Sequence, residues 1–123
     1  MASDGETTVT ELKDAVAAFV AARDWQPFHT PKSLSMSVAI EAAELMECFQ
    51  WLTDEQSQAS VNDPGLYAAA ADELADVLIY CLSLGNALEI DLTAAVLAKL
   101  RTNEARYPID GFRGRFRKPE RQR

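Results

Sequence analysis

Asp72-Glu-Leu-Ala-Asp-Val-Leu-Ile-Tyr80 decides the fold of this chain. Within it Glu73 and Asp76 stand at i and i+3, so they share one face of a helix. At about 100° per residue, Leu66, Ala70, Val77, Cys81, Leu84 and Leu88 form one apolar stripe. Glu73 falls inside that stripe, and Asp76 lies at its edge beside Tyr80. The same pattern occurs earlier in the chain, where Glu41-Ala-Ala-Glu44 precedes Glu73 by a spacer of 28 residues. There Leu34, Val38, Leu45, Phe49 and Leu52 form the stripe, with Glu41 within it and Glu44 at its edge. An ordinary surface acid lies opposite the stripe, as Glu47 and Asp72 roughly do. An ionised carboxylate on a core face costs several kcal/mol unless it is paired or metal-bound. Solvated helix acids and salt-bridged core acids are the bland readings of such a pattern. Two helices that face each other through these pairs would bring four carboxylates together. Four carboxylates converge only around a cation, and a hard, oxygen-seeking ion such as Mg²⁺ suits them best, with Mn²⁺ a possible substitute. A carboxylate-held Mg²⁺ with open positions binds and cleaves phosphate esters or anhydrides.

Composition sets the frame around these motifs. The 123 residues fit one domain, and 48% hydrophobic content is enough for a core. Five Gly and five Pro lie mostly at the edges of periodic segments, which points to an all-α protein. No run of 18 apolar residues is present, so no transmembrane helix is expected. Met-Ala-Ser-Asp-Gly-Glu at the start has neither a basic nor an apolar stretch, so no signal peptide is expected. Cys48 and Cys81 lie on or near the apolar stripes and read as buried free thiols, so a cytoplasmic setting is expected. The net charge is −7, yet residues 109–123 carry six basic and two acidic side chains. The remaining body is therefore strongly acidic, which argues against a nucleic-acid polymer as partner. The basic residues 109–123 read as a flexible tail or as a reach toward an anionic ligand. The domain proper is expected over residues 1–108.

Four helices account for that domain. Thr8-Val-Thr-Glu11 reads as a capping box opening a helix to about Asp24, with Leu12, Val16, Phe19 and Val20 inward. Pro27 and Pro31 break the chain, and a second helix is expected from near Ser33 to Leu52. Thr53 to Asn62 is polar and loop-like. Asp63-Pro64 supplies an N-cap acid and a first-position proline for a third helix reaching about Leu88. Asp91 caps a fourth, which ends at Tyr107-Pro108. Helices of this size pack as a four-helix bundle with a ligand site between them. Ala68 to Ala71 and Ala94-Ala95 would allow close helix approach and self-association.

The remaining chemistry narrows the choice. A di-iron carboxylate bundle needs Glu-x-x-His motifs, and the lone His29 stands outside both acidic pairs, so an all-carboxylate site for Mg²⁺ or Mn²⁺ is favoured. Lys99, Asn103 and Arg106, spaced by four and three, share a face that suits phosphate oxygens or simply ends a solvated helix. Trp25, Phe28 and His29 crowd one loop, and Trp51 lies near the end of the second helix. They are either core filling or a platform for a nucleobase.

Taken in order, Arg23-Asp-Trp-Gln-Pro-Phe-His29, Glu41 to Glu44, Phe49-Gln-Trp51, Asp72 to Tyr80, and Lys99 through Asn103 to Arg106-Tyr-Pro108 make a specific set. In it the chain resembles the MazG-like all-α nucleotide pyrophosphohydrolases, most of all their dCTP pyrophosphatase branch, over about residues 10–108. The resemblance implies that Glu41, Glu44, Glu73 and Asp76 hold Mg²⁺ and carry the catalysis. It implies that Lys99, Asn103, Arg106 and Tyr107 contact the triphosphate, and that Trp25, His29, Trp51 and Tyr80 line the base and sugar pocket. The implied reaction is hydrolysis of a (deoxy)nucleoside triphosphate to monophosphate and pyrophosphate. The implied assembly is a homotetramer, a dimer of dimers with sites completed across subunits. Where that branch carries glycines around the first acidic pair, this chain has Ile40, Ala42 and Ala43, a difference that bears on base specificity more than on the chemistry. The tail after Pro108 departs from the branch. The sequence thus points to a cytosolic Mg²⁺-dependent nucleotide pyrophosphohydrolase clearing surplus or unwanted dNTPs, with dCTP-like pyrimidines leading and no membrane partner. The alternative is a catalytically weak helical interaction module that retains a metal-binding acidic site.

Overall fold

A computed structural model describes residues 2–114, and every element among them is helical. The chain forms two compact units, Met1–Ile90 and Asp91–Arg123.

In the first unit, α1 (Val9–Ala21), α2 (Pro31–Glu47), a short α3 (Asp54–Gln58) and the long α4 (Pro64–Ala87) follow in order. Each start is set by a side chain that accepts from an otherwise unpaired backbone N–H. Thr8 accepts from Glu11 N at 3.1 Å, Thr30 from Ser33 N at 3.2 Å, and Asp63 Oδ1 from Leu66 N at 3.1 Å. Pro31 and Pro64 occupy first helical positions, where no N–H is needed.

The ends differ from the sequence reading. α1 stops at Ala21 rather than Asp24, because Asp24 takes a left-handed conformation (φ 52°) and Trp25 N turns back to Val20 O at 3.1 Å. That is a Schellman ending made without glycine. α4 ends the same way, with Glu89 at φ 54° and Ile90 N on Gly85 O at 2.9 Å. α2 ends at Glu47 rather than Leu52. The stretch Thr53 to Asn62, expected as loop, holds α3 and a 3₁₀ turn at Ala59–Asn62. Thr53 and Gln56 close a full capping box there, and Asp54 and Glu55 sit in the first turn, where acids suit the helix dipole.

α2 and α1 both pack on α4. Few apolar side chains are fully enclosed: Val20 is 9% exposed and Leu34 1%. Leu12 and Phe19, expected inward on α1, are about half exposed, as are Leu74 and Leu78 on α4. The stripes expected on α2 and α4 are buried or half-buried apart from Leu88, whereas Leu74 and Leu78 lie outside the α4 stripe and Leu12 and Phe19 leave part of α1's expected inward face uncovered. Cys48 and Cys81 are free thiols, half-buried rather than enclosed. No single helix among the described residues is long and apolar enough to cross a membrane.

The second unit is built on α5 (Leu92–Arg106), capped by Asp91 Oδ1 on Ala94 N at 2.9 Å. The first residues assigned to a flexible tail form a short α6 (Ile109–Phe112), and the Tyr107 and Phe112 rings meet edge to face at 5.0 Å. Residues 115–123 lie outside the described residues, and with them most of the basic tail.

Candidate functional site

The i, i+3 spacing of each acidic pair survives folding, because both pairs lie well inside helices that pack on one another. Carboxylate oxygens of Glu41 on α2 and of Glu73 and Asp76 on α4 come within 4.8 Å of one another, and all three residues are half-buried. Oε2 of Glu41 and Oε2 of Glu73 are buried without a hydrogen-bond partner. A buried acceptor that receives no proton donor costs free energy. Two such acceptors beside a third carboxylate form a donor set that fits a hard divalent cation.

Glu44 stands at the rim, more exposed than the other three. Partial burial pushes the Glu41 carboxyl above its usual range, and Glu44, Asp76 and Glu73 add to the shift. The Glu73 carboxyl is raised in the same way, first by burial and then by the charges of Glu44 and Asp76. Both shifts express one physical fact: the cluster concentrates negative charge in a partly desolvated place, and among the described residues no basic side chain counters it.

The aromatic residues divide. His29, at the end of the 3₁₀ turn Gln26–Phe28, stands with its ring 6.5 Å from that of Tyr80, one turn beyond Asp76 on α4. The structure therefore brings His29 beside Tyr80, one turn along α4 from Asp76. Trp25 packs edge to face on Phe19 at 5.8 Å, and the Arg23 guanidinium lies 3.7 Å over the Phe19 ring. Arg23 also donates to Phe19 O at 3.0 Å, so Phe19, Arg23 and Trp25 form one local stack. Trp51 is 88% exposed in the turn after α2.

Lys99, Asn103, Arg106 and Tyr107 belong to the second unit. Their spacing on α5 puts Lys99, Asn103 and Arg106 on a shared face, with Asn103 half-buried and the two cations exposed. The Arg106 guanidinium lies 5.6 Å from the Tyr107 ring.

Three residues near the site were not singled out from sequence. Gln26, Ser83 and Asn86 line a cavity with His29. The available signal was two polar residues, Ser83 and Asn86, in an otherwise apolar run at the end of α4.

Residues 36–118 match the MazG-like family. The chain belongs to the MazG-like family. Proteins named dCTP pyrophosphatase 1 from Bos taurus and Homo sapiens are each 40% identical to it, over 89% and 92% of this chain. The chain spans 64% and 66% of the length of those two relatives. A crystal structure of a pyrophosphatase from Archaeoglobus fulgidus superposes with a TM-score of 0.76 at 36% identity, covering 88% of this chain and 99% of that one.

Proposed function

We propose that this protein hydrolyses (deoxy)nucleoside triphosphates to the monophosphate and pyrophosphate with Mg²⁺, dCTP-like pyrimidine nucleotides being its leading substrates, in nucleotide-pool house-cleaning in the cytoplasm. The observation that carries this reading is the meeting of Glu41, Glu73 and Asp76 with two buried, unpartnered oxygens. Membership of the MazG-like family and the likeness to proteins named for dCTP pyrophosphatase activity support it.

Glu41, Glu73 and Asp76, with Glu44 at the rim, would hold the ion. When bound, Mg²⁺ neutralises charge on phosphate oxygens and makes a coordinated water more acidic. The chain's own groups do the rest. A carboxylate of the cluster that is not bound to the ion accepts the proton of the attacking water. Lys99, Asn103, Arg106 and Tyr107 donate to triphosphate oxygens and to the departing pyrophosphate. Trp25, His29, Trp51 and Tyr80 enclose base and sugar.

The same reading includes a homotetramer, a dimer of dimers built as a four-helix-bundle assembly. Its support is the exposed apolar surface. Tyr67, Leu74 and Leu78 on α4, and Met36 and Ile40 on α2, are each close to half exposed or more. A groove of about 570 Å³ between α2 and α4 is lined by Leu45, Phe49, Tyr67 and Leu74. Contiguous apolar surface of this kind marks a protein interface.

The test is pyrophosphate release from a panel of canonical and modified (d)NTPs, with Mg²⁺ and with chelator. Mg²⁺-dependent release is expected. No release from any nucleotide by well-folded protein would leave the alternative, an interaction module whose acids hold a structural or regulatory metal.

A further inference from the structure

The last residue of the first unit is held from both sides. Ile90 N donates to Gly85 O at 2.9 Å, which closes α4, and Ile90 O accepts from Lys13 Nζ at 2.8 Å. Lys13 lies on α1, 77 residues away in the chain. Its main chain is tied to the same helix end, because Asn86 Nδ2 donates to Lys13 O at 3.0 Å. One residue of α1 thus grips the end of α4 through its carbonyl and the connection after it through its ammonium. The last turn of α4 has no basic side chain of its own. Lys13 therefore brings positive charge to the carbonyl end of that helix, where it is favoured.

This grip holds the start of α5. A peptide unit is planar, so pinning Ile90 O also fixes the Asp91 N and Cα that share its plane. Asp91 is the N-cap of α5, its Oδ1 accepting from Ala94 N and its O from Ala95 N, both at 2.9 Å. Those bonds tie Asp91 to the first helical turn. Only the backbone torsions of Asp91 (φ −75°, ψ 101°) then stand between the pinned peptide and α5.

A helix is a lever. α5 runs 15 residues past Asp91 to Arg106, about 22 Å along its axis. A swing of about 10° at its start moves Lys99 by about 2 Å and Arg106 by about 4 Å at that rise per residue. Hydrogen bonds tolerate only about 0.5 Å, so conformers displaced that far lose their contacts with phosphate. Ligand binding then draws on the competent fraction alone, which raises KM without altering turnover of the bound complex.

We propose that Lys13 is a positioning residue, holding the Ile90–Asp91 peptide so that α5 presents Lys99, Asn103 and Arg106 to the triphosphate. This inference rests on the nucleotide reading above, in which those side chains contact the phosphates. The effect of Lys13 passes through the backbone of the connection and not through contact with substrate.

The experiment compares wild type, Lys13→Met and Lys13→Arg. Methionine keeps the apolar stem and loses the ammonium, whereas arginine keeps a charged donor. Amide exchange at Ile90 is followed by NMR, pyrophosphate release from dCTP with Mg²⁺ by steady-state kinetics, and dCMP binding by calorimetry. In Lys13→Met, Ile90 should exchange at least about threefold faster. The KM for dCTP should rise about threefold or more, with kcat and dCMP affinity each within about twofold of wild type. Lys13→Arg should restore both exchange and KM. An unchanged KM in a Lys13→Met protein whose Ile90 exchanges faster would overturn the positioning role. So would a fall in kcat at fixed KM, which reports lost folded enzyme. Unchanged exchange at Ile90 would overturn the grip itself, whatever the enzyme does. A wild type that turns over no triphosphate, with Ile90 still freed in Lys13→Met, would sink the nucleotide reading and the positioning role with it, leaving a structural contact. Should Lys13→Met fail to fold, Asn86→Ala, which releases the Lys13 carbonyl instead, decides on the same readouts.

Discussion

Glu41 and Glu73, carried on different helices, each present a buried Oε2 without a hydrogen-bond partner toward the same small space. Two helices have been packed so that acids meet acids, and the stability of that arrangement depends on what enters between them.

Divalent metal should therefore act on the fold as well as on activity. Mg²⁺ at one hundred times its Kd should add about 2.7 kcal/mol, a rise in Tm on the order of 10 °C for a chain of this size. Glu73→Gln should abolish most of that rise while leaving the metal-free Tm equal or higher, since it removes a repelling charge. A thermal scan with Mg²⁺ and with chelator checks both points. A variant whose Tm responded to Mg²⁺ like the wild type would move the metal elsewhere.

The pH dependence has a defined sign. Glu41 and Glu73 have carboxyls raised above the ordinary value of 4.5 in the folded chain, chiefly by partial burial and then by neighbouring acids. Between 4.5 and the raised values the folded state keeps protons that the unfolded state releases, so stability falls as pH rises across that interval. Urea midpoints of chelated protein, taken from pH 4.5 upward, should decline more steeply for wild type than for the double variant Glu41→Gln, Glu73→Gln. Parallel slopes would deny the two carboxyls any part in it.

Turnover should depend on the cluster far more than the fold does. Glu41→Gln or Asp76→Asn should lower kcat by at least about 100-fold, the scale of losing one electrostatic contact to the transition state, with the helical circular dichroism retained. Lys99→Ala should weaken triphosphate binding more than monophosphate binding. Equal losses for the two ligands would argue against a contact with the β- or γ-phosphate.

The two helix ends built without glycine offer a stability test that leaves the carboxylate cluster untouched. Asp24 and Glu89 sit at φ 52° and 54°, where a side chain costs about 1 kcal/mol or more. Asp tolerates this conformation better than Glu. Glu89→Gly should raise stability by roughly 0.5 kcal/mol after the added flexibility of the unfolded chain is counted, and Asp24→Gly by less. Chemical denaturation at constant m-value measures the difference.

Much of this protein was legible in its sequence, for a local reason. Caps, first-position prolines and i, i+3 acids act within one turn of helix, so Thr8, Asp63, Asp91, the start of α4 and both acidic pairs can be read residue by residue, whereas the Thr30 cap that starts α2 at Pro31 was missed. The sequence's weakest reading was of the polar stretch from Thr53 to Asn62. Its capping box was present in the letters, but α3 is only five residues long and carries no apolar stripe to announce it.

What the sequence alone determined is the helical class, most helix starts and the four acids worth watching, because each follows from periodicity and short-range hydrogen bonding. What the tertiary structure decided depends on residues distant in the chain. The meeting of Glu41 with Glu73 and Asp76 needs α2 laid on α4. The orientation of Asn86 needs a carbonyl 73 residues away on α1. Helical periodicity says which face a side chain is on, and only packing says what that face meets.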